Sequence, residues 1–203
     1  MATNPFETRY IRPSSIEFVP NGCDPITLSQ QISQTKGPFQ IVGPHGSGKT
    51  TLTFEIAKHL LDLGIGARWI TLRKQGRFRL PSVLHPTTPA SAGSADTKSQ
   101  VIFVDGIETL TILNRAIMLK SNSPANKIVV TTHRALYGVK QLFKTESTLA
   151  HFKMICEKLI GHIDDSWESK IKAAFQNHGA NIREALFELY DVFESQQQRS
   201  TAN

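Results

Sequence analysis

Apolar residues are arranged in two different ways along this chain of 203 residues. Up to residue 146 they are concentrated in short runs: 38–42, 67–72, 100–105 and 127–132. Runs of this length, bounded by turn residues, predict strands buried on both faces. A weaker fifth strand is predicted near residues 141–144. After the first run, Thr51 to Leu63 carry apolar residues fit for a buried helix that stops at Gly64. After the third, Leu110, Leu113 and Ile117 mark a further helix. Strand alternating with helix predicts an α/β core over residues 38–146, built on a mainly parallel five-stranded sheet.

From residue 147 the period changes to that of amphipathic helices. Leu149, Phe152, Ile155 and Leu159 share one face of a helix that ends at Gly161. Asp165 and Glu168 are placed as a capping box ahead of Trp167, Ile171, Ala174 and Phe175, with Gly179 as the stop. Asn181 and Glu184 form a second box before Ile182, Ala185, Leu186, Leu189 and Phe193. Residues 147–196 are therefore expected to form a small C-terminal three-helix lid, followed by a disordered tail, 197–203. Residues 1–37, broken by Pro5, Pro13, Pro20 and Pro25, read as an N-terminal arm with one short helix near 25–34. Residues 81–99, rich in Pro, Ser, Thr and Ala, show no apolar period and read as a flexible loop.

Composition narrows the class without deciding it. A hydrophobic content of 39% and a charged content of 20% exclude global disorder. The net charge of +6 permits a DNA or acidic protein partner without establishing one. Cys23 and Cys156 lack C-x-x-C spacing, so no disulfide framework is expected and a cytoplasmic protein is. No run approaches the ~18 apolar residues of a membrane span. The histidines form no zinc-binding pattern. The basic run Arg73–Arg79, with Phe78 inside it, reads as a solvated face or as a contact for nucleic-acid phosphates.

The chemistry is concentrated in residues 43–50, Gly-Pro-His-Gly-Ser-Gly-Lys-Thr. Gly43, Gly46 and Gly48 let the backbone turn its N–H groups inward around phosphate oxygens. Lys49 offers a cation to the terminal phosphates, and the Thr50 hydroxyl is placed for Mg²⁺. A buried strand before the loop and a helix after it complete the setting. A second signal is Val101-Ile102-Phe103-Val104-Asp105, an apolar strand delivering a carboxylate that can hold Mg²⁺.

These residues resemble the Walker A and Walker B motifs of P-loop NTPases, and the chain is similar to AAA+ and STAND ATPases. It also resembles short bacterial P-loop proteins. The resemblance implies ATP (and ADP) with Mg²⁺ at Gly43, Pro44, His45, Gly46, Ser47, Gly48, Lys49, Thr50 and Thr51, the metal on Thr50 and Asp105. In AAA+ proteins a Glu usually follows the Walker B Asp, but here Gly106 does. Asp105-Gly106-Ile107-Glu108 instead resembles the STAND pattern, and Glu108 is read either as a water-positioning base or as a cap for the next helix. Thr131 or Thr132, followed by His133 and Arg134, resembles a sensor 1 strand end. Gly179–Ala185 resembles the sensor 2 segment, with Arg183 in contact with the γ-phosphate. Asn4–Pro13 resembles the lead-in beside the adenine, with Ile11 and Pro13 against the base or packed on the core.

An extra strand between the Walker A and Walker B strands marks the group holding AAA+, STAND and RecA-like proteins, and residues 67–72 fit that position. No arginine finger stands out among Arg134, Lys140 and Lys144, which leaves oligomerisation open. The expected function is an ATP-driven conformational switch acting on an unidentified protein or DNA partner. Two alternatives stand beside it: a kinase passing the γ-phosphate to a small acceptor, and a nucleotide-binding module with little turnover.

Overall fold

The computed structural model of this protein describes residues 3–13, 15–16, 18–20, 22–72, 100–121, 126–179 and 181–201. The expected loop at 81–99 and the basic run Arg73–Arg79 lie outside them. The chain divides into two compact units, one of Gly22–Gly43 and Leu52–Lys144, the other of Met1–Asn21, Pro44–Thr51 and Thr145–Asn203.

The sheet unit holds five strands: β1 (Phe39–Val42), β2 (Gly66–Thr71), β3 (Gln100–Asp105), β4 (Asn126–Thr132) and β5 (Lys140–Lys144). All pair parallel, in the order β2-β3-β4-β1-β5. The sheet is thus parallel throughout rather than mainly so, and the weak fifth strand is real, paired along β1. The interposed strand is β4, however, and not residues 67–72, which form the sheet edge. Sequence order alone misplaces it, because the chain leaves β1 for the far edge and works back.

Side chains alternate between the two faces of the sheet. On one face Trp69 and Phe103 stack at 5.3 Å, and Trp69 stacks on Phe54 of α3 (Lys49–Asp62) at 4.7 Å. On the other, Ile70, Ile102, Val104, Ile128 and Val130 pack with Leu110, Met118, Leu119, Leu136 and Val139. Met118 and Leu119 come from α4 (Ile112–Lys120), so α3 and α4 cover opposite faces. Helix α3 buries Leu52, Ile56, Ala57 and Leu60 and ends as expected at Gly64, whose φ is +72°.

The phase expected for α4 is wrong. Leu113 and Ile117 point outward, 69% and 57% exposed, while Met118 and Leu119 face the sheet. Residues 112–120 are apolar on nearly every side, so periodicity carried no information about which side is inner.

No helix joins β4 to β5. Residues 133–139 cross β1 directly and are held by the buried Gln40. Its Nε2 donates to Leu136 O at 3.0 Å and Val139 O at 2.8 Å, and its Oε1 accepts from Leu136 N at 2.7 Å. Helix α2 (Pro25–Gln34), capped by Asp24, sits where the short arm helix was expected. The Lys127 ammonium at the start of β4 donates to the carbonyls of Ile32, at 2.6 Å, and Ser33, at its end. Burial lowers the Lys127 pKa.

The helical unit contains α1 (Thr8–Ile11), α5 (Leu149–Ile160), α6 (Asp165–His178) and α7 (Ile182–Thr201). Phe152, Ile155, Cys156, Ile171, Ala174, Ile182, Ala185, Leu186 and Leu189 form its core, and Phe6 from the arm is buried among them. Asn4 fixes the arm, donating from Nδ2 to Tyr190 O at 3.2 Å and Glu194 Oε1 at 2.8 Å. Ile11 packs against the same core.

Two details differ from expectation. Asp164, not Asp165, caps α6, accepting from Trp167 N at 2.8 Å, and Glu168 pairs with Lys153 instead of closing a box. Helix α7 continues to Thr201, because its Gln-rich end contains neither Gly nor Pro to stop it. Among the described residues no helix is long and apolar enough to cross a membrane.

Candidate functional site

The loop that carries the first motif begins where β1 ends. Gly46 and Gly48 take left-handed φ values of +68° and +84°, while Gly43 does not. Two glycines rather than three therefore provide the left-handed turns. Pro44 and His45 are exposed, and Thr50 and Thr51 are half-buried. Lys49 is the first residue of α3 and is only 8% exposed. Its Nζ donates to Pro44 O at 2.7 Å, the same carbonyl that accepts from Ser47 Oγ at 2.9 Å. With its proton on that carbonyl, Ser47 Oγ accepts from the Thr145 hydroxyl at 2.6 Å. A buried ammonium at a helix N-terminus, bent into a glycine-turned loop, is a cationic lining suited to an anion.

The loop also meets the start of α7, within the same compact unit. A Cβ built on Gly46 would lie 1.8 Å from Asn181 Oδ1 and 3.2 Å from Arg183 N. Asn181 opens α7, its Oδ1 accepting from Glu184 N at 3.4 Å, as expected of the second capping box. Arg183 is thus brought beside the loop by its backbone. Its exposed guanidinium lies over the Phe187 ring, 5.6 Å from the centroid. Thr145 and the packing role of Asn181 escaped the sequence reading. Nothing in the pattern marks Thr145, and Asn181 showed only its cap signature.

In the sheet unit, three neighbouring strand ends bring the other candidates together. Gly43 N donates to Thr132 O at 3.0 Å, and Thr131 Oγ1 donates to Asp105 Oδ1. Thr132 is fully buried and its hydroxyl has no hydrogen-bond partner among the described residues. An unsatisfied buried hydroxyl costs roughly 1–3 kcal/mol unless a further group meets it. From β1 the chain runs towards β2, whereas from β3 and β4 it runs the other way. In open α/β sheets ligands bind outside the carboxyl ends of strands at such a reversal.

Gly106 follows Asp105 with φ +81°, and a Cβ there would stand 2.4 Å from Leu72 O. Leu72 N in turn donates to Asp105 O at 2.8 Å. The close approach of β2 to β3 therefore leaves no room for a glutamate at this position. Glu108, in the single 3-10 turn Ile107–Thr109, accepts from His133 N at 2.6 Å through Oε1. It does not cap α4, where Thr111 is the N-cap. His133 Nδ1 lies 3.3 Å from Gly43 O.

Among the described residues no group of three or more His, Cys, Asp or Glu gathers to hold a metal. That suits Mg²⁺ no worse, since Mg²⁺ takes one or two carboxylates together with phosphate oxygens and water rather than an all-protein cage. The donor types of Asp105 and Thr50, carboxylate and hydroxyl oxygen, fit that ion.

No protein-family model matches the chain, and no curated protein matches it by sequence. Solved structures similar to it include Rif2 of Saccharomyces cerevisiae, with TM-score 0.44, 11% identity and coverage of 94% of this chain and 86% of that one. A structure of Rif2 in complex with the C-terminal domain of Rap1 gives a TM-score of 0.40 at 11% identity, covering 93% of this chain and 84% of that one.

Proposed function

We propose that this protein is a P-loop ATP-binding protein, using Mg²⁺ and turning ATP over as a conformational switch. The observation that carries the reading is the loop itself: Gly46 and Gly48 in left-handed turns, followed by a buried Lys49 at the first position of α3. The loop amides and Lys49 take the phosphates, and Thr50 and Asp105 take the metal. Thr132, with its unpaired buried hydroxyl, takes a phosphate oxygen or the attacking water. The Asn181–Arg183 backbone beside Gly46 couples phosphate occupancy to α7. The strand order β2-β3-β4-β1-β5, with β4 between β1 and β3, supports an ATPase-type sheet.

A second reading, nucleotide binding with little turnover, is favoured by one observation. Gly106 leaves no space for a carboxylate next to Asp105, and Glu108 spends Oε1 on His133 N. Calorimetric titration with ATP·Mg²⁺ and phosphate-release assays, with and without DNA, decide between them. Lys49→Ala is expected to weaken ATP binding by about ten- to a hundredfold, the loss of one set of charge-assisted contacts. Unchanged binding in that variant sinks both readings. Binding with phosphate release that Glu108→Gln abolishes supports the ATPase, and binding without release supports the module.

A further inference from the structure

Helix α4 has no buried residue, although six of its nine residues are apolar. Met118 and Leu119 face the sheet, and Ile112, Leu113, Ala116 and Ile117 face away from it. At ~100° per residue these four span an arc of about 140°. Ile112 is 85% exposed, and Tyr137, on the helix-free crossover, is fully so. Leu136 of the crossover and Met118 of α4 pack into one cluster on one face of the sheet, so both exposed groups belong to that face. A helix apolar on both sides is one that is covered on both sides. Contiguous exposed apolar surface of this kind marks an interaction site.

The charges around it say what covers it. Between Glu108 and Glu146 the sequence contains no Asp or Glu, but it contains Arg115, Lys120, Lys127, Arg134, Lys140 and Lys144. Lys127 is used internally on the α2 carbonyls, and Arg115 Nη2 on the carbonyls of Glu108 and Leu110. Exposed Lys120 on α4 and exposed Arg134 on the crossover that carries Tyr137 therefore lie on the same segments as the apolar stripe, and the carboxylate of Glu108, just before α4, is occupied by His133 N. Two copies meeting through the stripe would place like charges opposite each other, which disfavours a self-pairing face. A nucleic acid would satisfy the cations and leave Ile112, Leu113 and Ile117 against polar groups. We propose that the outer face of α4, with Tyr137 at its side, docks an amphipathic helix of a partner protein, apolar along its centre and acidic along its rim. This stands independently of the nucleotide reading.

The probe is a pair of synthetic, fluorescently labelled helical peptides with Leu at helical spacing, one with Glu and one with Lys at all flanking positions. Anisotropy titration of the full chain is expected to show the Glu peptide binding at least about tenfold tighter than the Lys peptide. Its affinity should fall on raising salt. Ile112→Ser and Leu113→Ser should each weaken it, with circular dichroism and Tm unchanged. Should Leu113→Ser fail to fold, Ile112→Ser alone decides, since that side chain is 85% exposed. Four results overturn the proposal: equal binding of both peptides, no binding, binding indifferent to these substitutions, or DNA competing the Glu peptide away while leaving the serine variants unaffected. Two others replace the occupant and overturn it equally. One is a dimer in sedimentation that Leu113→Ser dissociates. The other is a photo-crosslink from position 113 onto the chain's own residues 73–99.

Discussion

Helix α4 turns two of its six apolar residues to a core and exposes the other four, whereas helix α7 turns six of its eight inward and leaves the other two half-buried. Helix α7 places Ile182, Ala185, Leu186 and Leu189 inside, with Glu184 and Asp191 outside and Glu188 on Asn177 and His178 of α6. Helix α4 places Met118 and Leu119 inside and Ile112, Leu113 and Ile117 outside. Polarity on the outer face of α7 fixes its rotation. Helix α4 has no such contrast, so the sheet alone decides its rotation, and its outer face answers to something other than folding.

The difference is sharpest in stability. Leu189 is fully buried, and Leu189→Ala should cost about 2–5 kcal/mol, read as a loss of denaturation midpoint in urea. Ile112→Ser should stay within about ±0.5 kcal/mol of the parent. If the Ile112 variant were destabilised by as much as the Leu189 one, the outer face of α4 would be part of a folded core and the contrast would vanish.

A smaller effect separates the two left-handed glycines of the loop. Both Gly46→Ala and Gly48→Ala carry the backbone strain of a Cβ at positive φ, about 1–2 kcal/mol. At Gly48 nothing lies within 4 Å of the added carbon, so strain is all it should cost. At Gly46 the carbon meets Asn181 Oδ1 at 1.8 Å, so the start of α7 must move as well. Gly46→Ala should therefore be the more destabilising of the pair, and Asn181→Ala in the same chain should recover the excess. Equal costs for the two alanines would separate α7 from the loop.

Much of this architecture was legible because the sequence states it locally. Five strand runs, the stop glycines Gly64, Gly161 and Gly179, and the cap at Asn181 each depend on neighbours in the chain. The glycine turns of the loop were legible for the same reason. Long-range features were not. The order of strands is a property of crossovers, so β4 rather than residues 67–72 came to lie beside β1. The bond between Ser47 and Thr145 joins residues 98 apart, and no periodicity reports it. Gly106 read as a departure from a motif, and only the approach of the Leu72 carbonyl gives it a structural cause. Glu108 had two readings, and its bond to His133 N belongs to neither.

The smallest effect tests how differently the two regions hold a buried basic side chain. Lys127 in the sheet unit keeps its proton donors on two carbonyls. In the helical unit His151 has one partner, Nε2 at 3.1 Å from Val19 O, and Nδ1 has none among the described residues. In the neutral ring Nε2–H donates to that carbonyl and Nδ1 stays bare, so a second proton would be buried without an acceptor. Burial lowers the His151 pKa from its ordinary 6.5, and the bond to Val19 O only partly opposes this. The unfolded chain then takes up the proton at higher pH than the folded one. Stability from this group is complete above pH 6.5 and declines as pH falls from there through the depressed folded value. Glu168, held low by Lys153, acts in a separate and more acidic range, below its ordinary 4.5. Urea unfolding at about pH 5.5 and 7.5 should show the lower midpoint at the acid end, and His151→Gln should flatten that difference. If the slope persisted undiminished in the glutamine variant, the acid sensitivity would have to come from another histidine, and His151 would be no more exposed to pH than Lys127.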